Sequence, residues 1–238
     1  MTLPLEPQDE TLTERQQAVL DAVLALMVEQ GGELTMTAVA RRASCSKESL
    51  YKWFGDRDGL MVATVRWQAS KVRIGNYDRT RLDALALRDS LTRFAVNWLG
   101  VISSPTSIAL NRLAIAQAGA GPRGGSRRGS AGSAPQGARG GSLGAIMLAN
   151  GRFAIGDRLK PLLDVGREAG LLAFEDTETA FRSFIGLVGR DVQIRLLLGD
   201  TLVLAPAQIA RDAARATDQF FTLYGTATAV PDSHTANA

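Results

Sequence analysis

Lys47, Glu48, Ser49, Tyr51 and Lys52 crowd into six consecutive positions, with Leu50 the only apolar residue among them. Ammonium groups can donate to guanine, a carboxylate can accept from the cytosine N4 amine, and hydroxyls can do either. These are the groups needed to read base edges in a major groove. Tyr51 and two flanking residues, Thr35 and Arg57, suit phosphate oxygens instead. Thr35 sits near a helix N-terminus, where anions are favoured.

These groups need a scaffold that presents them together, and residues 34–60 predict one: two short helices, a tight turn between them and a third helix directly after. Thr35 is placed to N-cap the first, with Leu34 and Val39 as its hydrophobic staple. Ser46 is placed to cap the second, where Cys45 and Leu50 repeat the staple. At about 100° per residue, Leu50, Trp53 and Phe54 fall on one side of that second helix. Glu48, Ser49, Tyr51 and Lys52 fall on the other, with Lys47 at its leading end. A helix polar on one side fits a groove about 12 Å wide. Periodicity alone leaves a second reading open, because the polar side of a short helix pair is often only solvated.

The segment resembles the DNA-binding domain of the tetracycline-repressor (TetR) family of bacterial transcription regulators. The residues in register are Thr35, Met36, Val39, Ala40, Ala43, Ser46, Leu50, Tyr51, Trp53, Phe54, Arg57 and Leu60, and Arg15–Gly32 is similar to the family's first helix. The likeness runs through roughly the first 70 residues without a gap. Three positions depart from the pattern. Ser44 replaces the usual turn glycine, so a left-handed backbone there costs about 1 kcal/mol. Glu48 replaces a small residue and sets an acid on the DNA side. Ala38 leaves Thr35 without a capping-box carboxylate.

Charge agrees once it is partitioned. The whole chain is +3, but residues 1–33 hold seven acids against Arg15, whereas residues 34–73 hold eight Lys/Arg against three acids. That local surplus is the footprint expected of phosphate contacts, although any one of the eight can equally be ordinary helix surface. Residues 119–142 are different: nine glycines, four arginines, no acid, and no anchor for a core. They read as a disordered loop, since nothing there offsets the entropy of ordering. Deleting residues 121–141 is expected to leave folding and oligomeric state unchanged, because a shorter loop closes at lower entropic cost. An insoluble or unfolded deletion variant, seen by circular dichroism and sedimentation, would overturn that reading.

Composition argues against catalysis. His234, the single histidine, lies in a tail expected to be disordered, and Cys45 is the single cysteine. No Ser–His–Asp or Cys–His set can form, nor any His-rich metal site, and no cofactor is expected. A lone cysteine forms no intramolecular disulfide and fits a reducing cytoplasm. No apolar run approaches the ~18 residues of a membrane helix.

The remaining pattern predicts an all-α chain of about nine helices. Residues 1–12 read as a disordered arm, 13–60 as the helix-turn-helix domain and 61–225 as a ligand-binding and dimerisation domain; 226–238 read as a disordered tail. Leu143–Ala169 is helical in pattern, bent at Pro161 and stopped by Gly170. Thr177–Leu198 carries the stripe Phe181, Phe184, Ile185, Val188, Val192 and Leu196. Pro206–Leu223 carries Ile209, Ala213, Ala216 and Phe220. Such stripes can face the chain's own core. The family resemblance implies that these two helices pair with a second copy, making Phe181, Phe184, Ile185, Val188, Val192, Leu196, Ile209, Ala213 and Phe220 the expected dimer interface. Phe181–Gly199 is similar to the corresponding helix of an AefR-like subgroup.

The resemblance further implies a homodimeric repressor released from a palindromic operator in double-stranded DNA by a small effector. The family's pocket lies among helices matching Asp58–Ala169, where Trp67, Phe94, Trp98, Ile102, Leu113, Met147 and Phe153 are the candidate lining. That set favours a hydrophobic or aromatic ligand, though each residue can also be plain core. A regulator without a ligand, set by a protein partner or by its own level, stays open.

Overall fold

Side-chain caps set most of the helix starts. The computed structural model describes residues 12–30, 34–75, 77–119 and 142–227. The arm 1–11, residues 120–141 of the glycine-rich loop, and the tail from 228 lie outside the described residues. Helix α1 is Glu14–Gln30, entered through a capping box in which the Thr13 amide donates to Gln16 Oε1 at 2.8 Å. Then come α2 (Met36–Arg42), α3 (Lys47–Phe54) and α4 (Arg57–Ser70). Thr35, Ser46 and Asp56 cap them, each accepting from the amide three residues on. Helix α5 (Ala84–Ile102) starts on Asp83, and α6 (Pro105–Gly119) opens on proline, whose missing N–H costs nothing in a first turn.

The second half is more broken than its sequence pattern. Leu143–Ala169, expected as one bent helix, divides into α7 (Leu143–Met147), a π-helical segment Leu148–Phe153 and α8 (Ala154–Glu168). Pro161 is accommodated inside α8. Gly170 does end the run: its φ is +71°, and the Leu171 amide reaches back to the Gly166 carbonyl at 2.9 Å. Helix α9 (Thr177–Gly189) is capped by Asp176. It stops at Arg190, whose φ of +41° no helix can continue, and α10 (Val192–Leu197) follows. The last helix, α11, is Pro206–Tyr224. Thr226, at the start of the expected tail, is held: its amide donates to Leu171 O at 3.1 Å and its hydroxyl to Gly170 O at 2.7 Å. Among the described residues the fold is all-helical, with only an isolated bridge between Leu172 and Gly225. None of these helices is long and apolar enough to cross a membrane.

Two cores result. The first joins α1–α4 through Leu20, Val39, Leu50, Leu60 and Val65. It extends to Leu110 and Ala114 of α6 and Leu143 of α7, so the N-terminal helices rest directly on the second half. The other is built by α5, α8, α9 and α11 around a run of rings: Phe94 and Phe184 are tilted with centroids 6.1 Å apart, and Phe184 and Phe220 meet edge to face at 5.1 Å. Gly189 lets α9 close on α5, since a Cβ there would lie 2.8 Å from Trp98.

This second core takes up most of the apolar stripe expected at a subunit interface. Phe181, Phe184, Ile185, Val188, Ala213 and Phe220 are buried inside one chain, and Val192 and Ile209 pack half-buried against the same cluster. Leu196 is buried too, on α10. A helix of this size has one wide apolar stripe, and α5 with its neighbours consumes it. The faces of α9 and α11 left to solvent are others, around Gly186 and around Ala207, Ala210 and Ala214.

Candidate nucleic-acid interface

The α2–α3 unit is held from below. Leu34 and Val39, the predicted staple, are both buried, as is Leu50 on the inner side of α3. Trp53 and Phe54 meet edge to face with centroids 6.3 Å apart and pack on the N-terminal core. Cys45 packs there half-buried, so its thiol is part of the turn's apolar lining.

Ser44 makes the sharp turn with φ +50°, the left-handed conformation that its missing glycine foretold. The compensation comes from a residue the sequence did not flag. Arg15 of α1 donates through Nη2 to the carbonyls of Ala43 at 2.9 Å and Ser44 at 2.6 Å, bracing the turn. Replacing Ser44 by glycine is therefore expected to stabilise the protein by about 1 kcal/mol, read as a raised denaturation midpoint. A neutral or lowered midpoint would mean that the turn carries no strain.

The outer side of α3 presents the predicted groups to solvent. Lys47, Glu48, Tyr51 and Lys52 are exposed, and Ser49 is half-exposed with its hydroxyl 3.0 Å from that of Ser46. Glu48 is held below the usual carboxylate range by its own backbone amide, by Ser46 and by Lys47, and so stays anionic at neutral pH. An ionised acid there can accept from an exposed base amine and repels phosphate. Thr35 Oγ1 accepts from the Ala38 amide at 3.1 Å, which leaves its hydroxyl proton for an outside acceptor. Arg57 Nε donates to Leu34 O at 3.1 Å, tying the start of α4 to the start of α2 and setting Arg57 beside Thr35.

The basic surplus is only partly available. Arg42 pairs with Glu29 at 2.7 Å, Lys71 with Asp21 at 3.1 Å, and Arg66 donates to Asn150 at 2.7 Å. Arg41, Lys47 and Lys52 have no such partner among the described residues, and all three are exposed on α2 and α3. Arg41 had no helical-face argument to single it out, and its exposure adds a cation open to solvent on α2.

A cavity of about 420 Å³ lies behind this unit, between α4, α5, α6, α7, the π-helical segment and α8. Trp98, Ile102 and Met147 line it, as the sequence suggested. The other four candidates lie elsewhere. Trp67 turns to α1, donating through Nε1 to Asp21 at 2.8 Å, and Phe94 is sealed in the second core. Leu113 packs on the first core, and Phe153 is 59% exposed. Aromatic identity could not separate lining from core, because both surround the same helices.

The arrangement has known counterparts. Residues 19–64 match the model of bacterial regulatory proteins of the tetR family, and residues 133–226 match that of the AefR-like transcriptional repressor C-terminal domain. A solved TetR transcriptional regulator from Agrobacterium tumefaciens is 41% identical, with 92% of this chain and 98% of that one aligned at a TM-score of 0.71. A second solved structure, a putative TetR-family regulator from Mesorhizobium loti, covers 90% of this chain and 100% of its own at 19% identity and a TM-score of 0.64. That likeness shows the fold alone. The HTH-type transcriptional regulator BetI of Serratia proteamaculans is 37% identical over 73 residues, 30% of this chain and 36% of that protein. The match thus spans little more than a third of BetI.

A helix-turn-helix seated on a larger helical domain defines the class, a DNA-binding transcriptional regulator rather than an enzyme. The chain belongs to the TetR family, with an AefR-like C-terminal half.

Proposed function

We propose that the protein is a homodimeric, cytoplasmic repressor that binds a two-fold operator through α3 and leaves it when a small, largely apolar ligand fills the cavity of about 420 Å³. One observation carries this: α4 belongs to both sites. Its first residue, Arg57, is tied to Leu34 beside the DNA-facing Thr35, while Val65, Gln68 and Ala69 of the same helix form the cavity wall. Its far end is tied in as well, since Arg158 of α8 donates to Ala69 O at 3.1 Å. A ligand wedged against α4 thus acts on a rigid rod that reaches the recognition unit, which gives the two sites a physical route for coupling.

In this reading Lys47, Glu48, Ser49 and Lys52 contact base edges, and Thr35, Tyr51, Arg57 and Arg41 contact phosphates. The subunits meet across the outward faces of α9 and α11. There Gly186 has open space where a Cβ would be, and Ala207, Ala210 and Ala214 are exposed, so two helices can approach closely. The cavity favours a ligand over control by a partner protein alone, because its volume falls in the range of small-molecule sites. The deciding experiment is a genome-wide map of binding, followed by footprinting on the strongest site. A palindrome with half-sites one helical turn apart is expected. Single, unpaired half-sites would remove the dimer, and a flat map would remove sequence-specific recognition.

A further inference from the structure

The break between α9 and α10 opens a second, smaller cavity, which shares no lining residue with the one behind the DNA-binding unit. It encloses about 240 Å³ between the end of α9, the start of α10, residues 202–204 and the first turns of α11. Buried Leu99 and Val188 form its inner wall, with Val192, Leu202 and Leu204 half-buried around them. Its acids are already matched. Asp191 lies 3.9 Å from Arg195, which also pairs with Asp200 at 2.6 Å. Asp212 accepts from Gln208 Nε2 at 2.8 Å and pairs with Arg215. Arg190 is the remaining charge: it lines the cavity, is exposed, and has no side-chain partner among the described residues. Exposed and untethered, its side chain reaches the mouth without moving anything buried.

Arg190 also keeps a backbone that suits glycine. Its φ of +41° and ψ of −126° lie close to those of Gly55, +75° and −108°, where α3 ends the same way. A side chain adds cost in that region, and such strain clusters at ligand sites. The unpaired guanidinium gives a reason for arginine to stand there. We propose that the cavity binds a small organic carboxylate, its anion paired by Arg190 at the rim and its short apolar tail against Leu99, Val188 and Leu204. The exposed rim leaves the anion partly hydrated, so burial falls mainly on the tail. An ammonium there meets an uncompensated cation, and an alcohol forgoes the charge-assisted bond. The volume lies below the about 300–1,000 Å³ typical of drug-sized sites, so the tail is short.

Calorimetric titration of the full-length protein with hexanoate, hexanol and hexylammonium tests it. Hexanoate is expected to bind about tenfold more tightly than the alcohol, and the cation most weakly. Arg190→Gly should lower hexanoate to the level of the alcohol and also raise the thermal midpoint, because the strained side chain is gone. Lost binding with gained stability is a pattern that mere disruption of the fold does not produce. Arg190→Lys, which keeps the charge, should keep the order of the three ligands. Equal affinity of the parent for hexanoate and hexanol would overturn the pairing. So would an anion preference that survives Arg190→Gly, since the carboxylate would then sit elsewhere, the larger cavity included. Tightest binding of the cation would overturn the choice of an anion and turn attention to Asp191. If none of the three binds the parent, this cavity is not a ligand site. Should Arg190→Gly not fold, Arg190→Gln removes the charge while keeping a side chain, and the anion preference is expected to vanish with it.

Discussion

Val188→Glu is expected to unfold the C-terminal half, and Gly186→Glu, two residues away, to leave it folded but monomeric. Val188 is 3% exposed inside the cluster around Phe184 and Trp98, where a carboxylate would replace apolar contacts. An unpaired buried charge costs several kcal/mol, a large part of the 5–15 kcal/mol that holds a typical domain. Thermal melting followed by circular dichroism should show a lost or strongly lowered transition. Gly186 lies on the opposite side of α9, where a Cβ meets nothing within 4 Å. Glutamate there improves helix propensity and costs the fold nothing. In the proposed dimer it puts two acids near the two-fold axis, so sedimentation should show a monomer. Parental melting of Val188→Glu would contradict the core placement. A Gly186→Glu dimer would move the interface to another face.

Lys52→Ala should cost the most among single changes to the DNA surface. Lys52 is exposed in the last turn of α3 and has no partner among the described residues, so its removal leaves the fold untouched. A specific base contact is worth about 1–3 kcal/mol, and a two-fold complex uses it twice, giving about 2–6 kcal/mol on the cognate operator. Non-specific DNA should lose far less. Tyr51→Phe is the contrast: it removes only a phosphate hydrogen bond, so cognate and random sequences should weaken together. Fluorescence anisotropy on both duplexes at fixed salt separates the two patterns. If both variants bind as the parent does, α3 is not the recognition helix.

Gly186 and Val188 also show where a sequence stops being readable. Both lie in one helical run, and the apolar stripe of α9 was plain from spacing; which surface covers it was not. An apolar stripe records that burial occurs, not whether the cover is α5 or a second subunit, and Phe94, Phe184 and Phe220 settle that only by meeting in space. The break was equally hidden, because the residue that turns left-handed is Arg190, with φ +41°, and not the glycine just before it.

The helix-turn-helix was legible because its determinants are local. Thr35, Ser46 and Asp56 satisfy amides three residues away, Leu34 and Val39 lie five residues apart in one core, and the exposed side of α3 follows from its period alone. Even the strain at Ser44 could be foreseen, since a turn that wants glycine wants it whatever lies around it. Its brace could not. Arg15 is 28 residues away from Ala43, and only folding brings the guanidinium to those carbonyls. The cavity belongs to the same class of facts. Trp98, Ile102 and Met147 come to it from α5 and α7, while Trp67 is drawn off by Asp21 and Phe94 by its neighbouring rings. Capping and periodicity were enough to lay out the helix-turn-helix and its exposed polar side, and the family resemblance supplied the DNA-binding reading of that side. The tertiary structure decided which apolar residues became core, cavity wall or outer face, because that depends on contacts between helices far apart in the chain.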